Sequence, residues 1–203
     1  RDKLVTGVQT CALPISIGRD PPRDGREHEV VLAHAEGRSL GGHDADDEVV
    51  LPVDADGLCT DALPTAPVQL AYTTPSHQYP LGYTMSMDRR RALLDWAATV
   101  GACVIEDDYD GDFAYDSAPL PPLMALDPAR VIYVGSFSKV LGPGLRLGFM
   151  ACPPWLTDAL ARRKALLNHG CPWLEQAVLA RLFEYGDYSR HLYRLRRRQL
   201  VSR

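Results

Sequence analysis

Residues 130–148, RVIYVGSFSKVLGPGLRLG, decide the fold of this chain. The apolar run Arg130–Val134 reads as a buried strand and Leu147–Ala151, LGFMA, as a second short one. Between them Ser136 and Ser138 flank Lys139, and a Gly-Pro-Gly turn leads to Arg146. In open α/β sheets ligands collect just outside the carboxyl ends of strands, so a polar set in this position is a candidate site. Ser136, Ser138 and Arg146 are donors suited to phosphate oxygens, Arg146 through its planar fork. Lys139, expected to be partly buried beside Arg146, is the candidate nucleophile toward an aldehyde. A bare Ser-x-Ser-Lys more often marks a solvated loop, so the specificity lies in the whole string after an apolar strand. The order of glycines and lysine is not that of a Walker loop.

Working toward the N-terminus, Ala102–Ile105, ACVI, reads as a strand that ends in the acidic run Glu106, Asp107, Asp108, Tyr109, Asp110. Val68–Thr73, VQLAYT, reads as another, ending in the loop that holds Ser76, His77, Gln78 and Tyr79. Between these strands a helix capped by Asp88 is expected to run to Val100 and stop at Gly101. Strands alternating with amphipathic stretches predict an α/β fold. Asp107 is the candidate partner for a pyridine nitrogen, because a facing carboxylate keeps such a ring protonated, a charge-assisted bond of about 1.5–3 kcal/mol. Tyr109, on the same side of an extended segment, is the candidate for a phenolic ring oxygen. A metal site of clustered oxygens and a plain acidic loop compete for the same run; without the Lys139 loop the acidic loop is favoured.

Toward the C-terminus two helices are expected, Trp155–Asn168 and Leu174–Tyr185, followed by a basic amphipathic stretch from Tyr188 to the end. Trp155, Leu156, Leu160 and Leu167 read as core positions. Arg194, Arg196, Arg197 and Arg198 form a local basic cluster, but Leu192, Leu195 and Leu200 give the stretch an apolar side, so a solvated helix face is favoured over a DNA contact.

The 203 residues carry a formal net charge of -4 and are 46% hydrophobic, an ordinary globular composition. No apolar run approaches the roughly 20 residues that cross a bilayer, and no secretory signal order is present, so a cytoplasmic protein without a membrane partner is expected. Cys11, Cys59, Cys103, Cys152 and Cys171 are scattered, without the spacing of a zinc or redox motif, and no metal is expected. Residues 1–48 read as an irregular leader. Its opening run, RDKLVTGVQTCALPIS, resembles a translated sequencing adapter, and the text after it reads as a frame-shifted or a real but disordered leader. Residues 49–187 read as the cofactor-binding core and 188–203 as a basic linking helix.

The strings TPSHQYPLGYTMS, IEDDYDGDFAY and VIYVGSFSKVLGPGLRLGF, in this order, resemble the aminotransferase-like domain of MocR-type regulators of the GntR superfamily, over Val49 to Arg203. The resemblance implies the large domain of the fold type I aminotransferase fold, a mostly parallel sheet flanked by helices. It implies pyridoxal 5'-phosphate, with Lys139 forming the Schiff base, Asp107 on the pyridine nitrogen, Tyr109 on the ring hydroxyl, and Ser136, Ser138 and Arg146 on the phosphate. His77 and Gln78 would stand near the ring hydroxyl or serve to order their loop. An amino acid or amine effector and a homodimer are implied, with DNA bound only through a winged helix-turn-helix that this sequence does not hold. The family's first phosphate loop, its ring-stacking aromatic and its small domain are also absent, so a fragment is expected. The implied function is amine sensing by Schiff-base exchange. A catalytic class I/II aminotransferase with Lys139 as general base is one alternative, and an inert truncated piece is another.

Overall fold

The computed structural model of the chain describes residues 28–33, 48–113, 120–168 and 173–201. The opening run RDKLVTGVQTCALPIS, Cys11 and Cys171 lie outside the described residues. The described residues fall into two compact units. One, the sheet unit, comprises those of Ile15–Tyr109 and Leu120–Val134; the other, the lysine unit, comprises those of Asp110–Pro119 and Gly135–Arg203.

The sheet unit carries strands β1 (His28–Ala33), β2 (Glu48–Asp54), β3 (Gly57–Leu58), β4 (Leu70–Thr73), β5 (Cys103–Asp108) and the greater part of β6 (Val131–Ser136). Their order is β3-β2-β1-β4-β5-β6. β4 and β5 run parallel, with Tyr72 opposite Ile105 and Thr73 opposite Glu106. β1 is antiparallel to both β2 and β4, which makes the β1–β3 edge antiparallel. The structure corrects the expectation that residues 1–48 are irregular throughout, because β1 lies inside that span. Its apolar stretch Val30–Leu32 is too short to display a period, and partners on both sides supply the ladder that a sequence pattern cannot show.

Helix α1 (Met87–Val100) follows the predicted course, except that its N-cap is Ser86 and Asp88 lies in the first turn. Gly101 ends it at φ 79°, a left-handed position open to glycine at no cost, and its N–H donates to Ala97 O. Leu93, Leu94 and Ala97 of α1 are buried in one cluster with Ala71 of β4, Val104 of β5, Val131 of β6 and Leu51, Leu58, Met85 and Leu123. β5 extends farther than expected, through Asp108, so the first three acidic residues lie on the strand and alternate across it.

That alternation turns Glu106 into the core. Its two carboxylate oxygens accept the N–H groups of Leu123 and Met124, each at 2.9 Å, at the start of α2 (Leu123–Leu126). Arg90 of α1, 1% exposed, sits 3.9 Å from Glu106 Oε1. Its guanidinium also donates to the carbonyls of Met85, Pro121 and Pro75 at 3.0, 3.1 and 2.8 Å. Burial pushes the Glu106 carboxyl above and the Arg90 guanidinium below their usual ranges, since each loses water around its charge. Arg89, the neighbour on α1, makes a fork to both oxygens of Asp54 at 2.6 Å and donates to Gly57 O at 2.7 Å, tying the helix to the β2–β3 turn. Gly57 is required there: its φ is +90° and a Cβ would lie 2.7 Å from Met85 Cα.

The lysine unit contains the end of β6, α3 (Ser138–Leu141), a 3-10 turn at Pro143–Leu145, β7 (Gly148–Ala151), α4 (Pro154–Asn168), α5 (Trp173–Glu184) and α6 (Asp187–Val201). Half of the string GSFSKVLGPGLRLG, expected as a loop, thus forms two short helical turns, with Lys139 in the first. The core of this unit is Phe137, Val140, Leu147, Leu179 and Tyr188, joined by Phe113, Leu141, Phe149, Leu182 and Leu192. The ring of Phe149 lies where a side chain on Gly135 would stand, so β6 must carry glycine there. The reading of α4 as a core helix needs correction. Leu156 and Leu160 are half-buried, but Trp155 and Leu167 are 63% and 65% exposed, because α4 turns only one narrow side inward.

Two measurements follow from the sheet unit. Glu106→Gln leaves the Arg90 charge buried beside a neutral amide and one helix N–H short of an acceptor; urea unfolding is expected to register a loss of about 3–5 kcal/mol, only partly recovered when Arg90→Met is added, because the carbonyls of Pro75, Met85 and Pro121 then lose their donor. Asp54, held at about 2 by the hydrogen bond from Arg89, contributes stability that is present above its ordinary value of 3.8 and is lost as pH falls toward 2. In Asp54→Asn, unfolding midpoints taken across that interval should fall less steeply with acid than in the parent chain.

Candidate functional site

In the sheet unit the sequence-predicted residues lie at the carboxyl ends of β4 and β5. The parallel register sets Tyr72 against Ile105, so Tyr72 and Asp107 share one face of the sheet, opposite to Glu106. Tyr72 Oη donates to Asp107 Oδ2 at 2.7 Å and so fixes the carboxylate at the strand end. Asp108, on the other side, accepts a hydrogen bond from Tyr133 Oη. Tyr109 follows directly after the strand and is half-buried. The acidic run therefore points its carboxylates toward separate partners. Among the described residues no group of three or more His, Cys, Asp and Glu side chains is arranged to hold a metal ion.

The His77–Gln78 loop is built around Gln78, which is buried. Its side-chain Nε2 donates to Tyr79 O at 2.6 Å and its Oε1 accepts Leu81 N at 3.1 Å. Its backbone receives Gly82 N and donates to Tyr83 O. These bonds order the loop. His77 is half-buried beside it.

In the lysine unit the site string is set by Phe137. That ring is 6% exposed and meets Phe149, Phe183 and Tyr188 with centroid separations of 5.3, 6.0 and 5.9 Å. Anchoring Phe137 inward leaves Ser136 and Ser138 partly exposed on either side of it. Ser136 Oγ accepts Ser138 N at 3.2 Å, so the hydroxyl keeps its own proton to donate. Lys139, on α3, is 47% exposed rather than partly buried, and its Nζ pairs with Asp110 Oδ2 at 3.4 Å. The amine is thus more open to water than expected, and a carboxylate is among its partners. α3 has turned the side chain outward, while Val140 takes the core position. Arg146 is exposed and has φ 50°, a left-handed conformation that a residue with a Cβ adopts at a cost of about 1–2 kcal/mol.

Helix α6 braces both segments that carry Lys139 and Asp110. His191 Nε2 donates to Val140 O at 2.8 Å, the carbonyl next to Lys139. Tyr188 Oη donates to Asp112 Oδ2 at 2.9 Å, and Arg196 Nε donates to Asp112 O at 2.5 Å. Burial, then the Asp112 carboxylate, push the Tyr188 hydroxyl well above its usual range, so it remains a donor. Arg196, read as part of a solvated basic face, is therefore turned inward, whereas Arg197 stacks over Tyr193 at 5.9 Å.

Tyr72, Asp112, Phe137 and the contact made by Tyr188 were not singled out by sequence reasoning, and Asp110 entered only as one member of the acidic run. The alternation of VQLAYT against CVIEDD could have placed Tyr72 beside Asp107 once a parallel pair was assumed. Nothing local in the sequence brings Tyr188 to Asp112.

The model of the aminotransferase class I and II family matches residues 51–203. The chain belongs to this family. The aminotransferase-like domain is 45% identical over 144 residues to the uncharacterized HTH-type transcriptional regulator YhdI of Bacillus subtilis, covering 70% of this chain and 31% of that protein. It is 39% identical over 150 residues to the probable rhizopine catabolism regulatory protein MocR of Rhizobium meliloti, covering 73% and 30%. Among solved structures, Pyrococcus horikoshii kynurenine aminotransferase superposes with a TM-score of 0.68 at 32% identity, covering 72% of this chain and 39% of that one. LysN, the α-aminoadipate aminotransferase of Thermus thermophilus, gives 0.66 at 35% identity, covering 72% and 40%. The neighbours are fold type I aminotransferases, which agrees with the α/β class expected from the sequence. The domain spans about a third of the length of the curated relatives it matches.

Two loop residues of the domain should respond in opposite directions. Phe137→Ala removes the anchor of the Lys139 string and is expected to cost about 3–5 kcal/mol in chemical denaturation. Arg146→Gly relieves the left-handed strain and should unfold at an equal or higher denaturant midpoint.

Proposed function

We propose that this aminotransferase-like domain binds pyridoxal 5'-phosphate through Lys139 and acts as the amine-sensing part of a MocR-type regulator. The observation that carries the reading is the greater similarity to HTH-type regulators, 45% to YhdI, than to an enzyme such as the aromatic-amino-acid aminotransferase 1 of Thermococcus litoralis, 32%. The chemistry of the residues fits the cofactor. A primary amine, two hydroxyls and a guanidinium share one short string, and a carboxylate oriented by Tyr72 stands at a strand end.

When bound, pyridoxal phosphate supplies an aldehyde that condenses with amines and a protonated ring that draws electrons from the attached carbon. In this proposal Lys139 would provide the anchoring amine, exchangeable for that of an amino acid or amine. Asp107, oriented by Tyr72, would hold the proton on the ring nitrogen. Tyr109 would donate to the ring hydroxyl, and Ser136, Ser138 and Arg146 would donate to the phosphate. Gln78 orders the loop that includes His77, a further candidate for the ring hydroxyl. Among the described residues no helix is long and apolar enough to cross a membrane. The proposal places the sensor in the cytoplasm, where in the parent protein a homodimer would couple amine binding to DNA contact through a helix-turn-helix.

The likeness to aminotransferases supports a second reading, in which Lys139 moves a proton at the substrate α-carbon as general base and the domain turns over. Borohydride reduction of the chain mixed with pyridoxal phosphate should leave a stable adduct on the Lys139 peptide by mass spectrometry, and none in Lys139→Ala. An adduct of equal yield in that variant would refute the anchoring role. Repeated release of a 2-oxo acid from any amino acid would select the enzyme; at most a single half-reaction selects the sensor.

A further inference from the structure

Asp110 has no role in the cofactor set described above, yet its carboxylate meets the Lys139 amine. The Lys139 Nζ–Asp110 Oδ2 separation is 3.4 Å, and the two side chains are 47% and 20% exposed. A pair this open to water adds little to stability, so its consequence is positional. Two features make Asp110 a fixed point rather than a mobile surface charge. Its carbonyl accepts Phe113 N at 2.8 Å, closing the 3-10 turn Gly111–Phe113. Two residues on, Asp112 is clamped through side chain and backbone by Tyr188 and Arg196 of α6. Lys139 is held from the same helix, through His191 and Val140 O. Both partners of the pair are thus tied to α6.

We propose that Asp110 is a positioning residue that holds the Lys139 ε-ammonium whenever that amine carries no carbon partner. The functional weight of this pairing rests on Lys139 being the cofactor-anchoring amine; the pairing itself does not. A carboxylate at this point keeps a released lysine close to its place of departure, as an ammonium that must shed its proton before it can recapture the site. It also occupies the amine with a counter-ion, which draws it away from proton abstraction elsewhere. Asp110 therefore bears on whether the domain senses or turns over.

The test is competitive labelling of the full chain by trace acetic anhydride at pH 8, with Lys164 on α4 as the internal reference and peptide mass spectrometry as the readout. In Asp110→Asn the Lys139-to-Lys164 labelling ratio is expected to rise about two- to five-fold, the range an ion pair of this exposure can account for. Asp110→Glu should return the ratio to that of the parent, which a general loosening of the turn would not do. An unchanged ratio in Asp110→Asn, or a raised ratio that Asp110→Glu fails to lower, overturns the proposal. In parallel, pyridoxal phosphate with borohydride is applied to the parent chain. No adduct on Lys139 there retires the cofactor reading and leaves the labelling result to decide on Asp110 alone.

Discussion

The buried Arg90–Glu106 pair is the constraint on which the sheet unit depends. Neither charge is stable in the core without its partners, and together they reach most of the pieces that surround them. Glu106 fastens β5 to the start of α2, while Arg90 gathers the carbonyls of Pro75, Met85 and Pro121 onto α1. The loop between β4 and α1, which carries His77 and Gln78, begins and ends at carbonyls that Arg90 holds. Because side chains alternate along β5, committing Glu106 to the core commits Asp107 to the opposite face. The orientation of the candidate ring partner is thus a by-product of a structural ion pair one residue earlier.

The lysine unit uses the same logic with an aromatic ring in place of a charge. Gly135, Ser136, Phe137, Ser138 alternate between buried and partly exposed, and the Phe137 ring supplies the energy that keeps this register. One buried residue places two hydroxyls. Lys139 then falls on the outward side of a single helical turn, with Val140 inward.

Much of this was legible in the sequence. The parallel pair β4–β5, the helix between them and the polar sets at the strand ends follow from short apolar runs, a glycine stop and the strings that carry the family resemblance. What was missed shares a physical cause. β1 is a short apolar run set between polar segments and becomes a strand through its neighbours. Glu106 looks like one more acid in EDDYD, and only partners well separated from it in sequence, Arg90 of α1 and the N–H groups of Leu123 and Met124, reveal it as core. Tyr188 meets Asp112 across a sequence separation of 76, which no local pattern encodes. Apolar spacing on α4 suggested a buried stripe, but Trp155 and Leu167 face outward, since spacing tells which residues share a side and not how wide a side is covered.

Helix α6 can be viewed as a rod. Its 15 residues extend about 22 Å, and it is riveted near one end by Tyr188, a turn later by His191 and past the midpoint by Arg196. A rod fixed at three points along its length transmits a tilt rather than absorbing it. Any force applied at its far end would reach the turn of Asp110 and the carbonyl beside Lys139 together, moving both as one piece of machinery instead of pulling them apart.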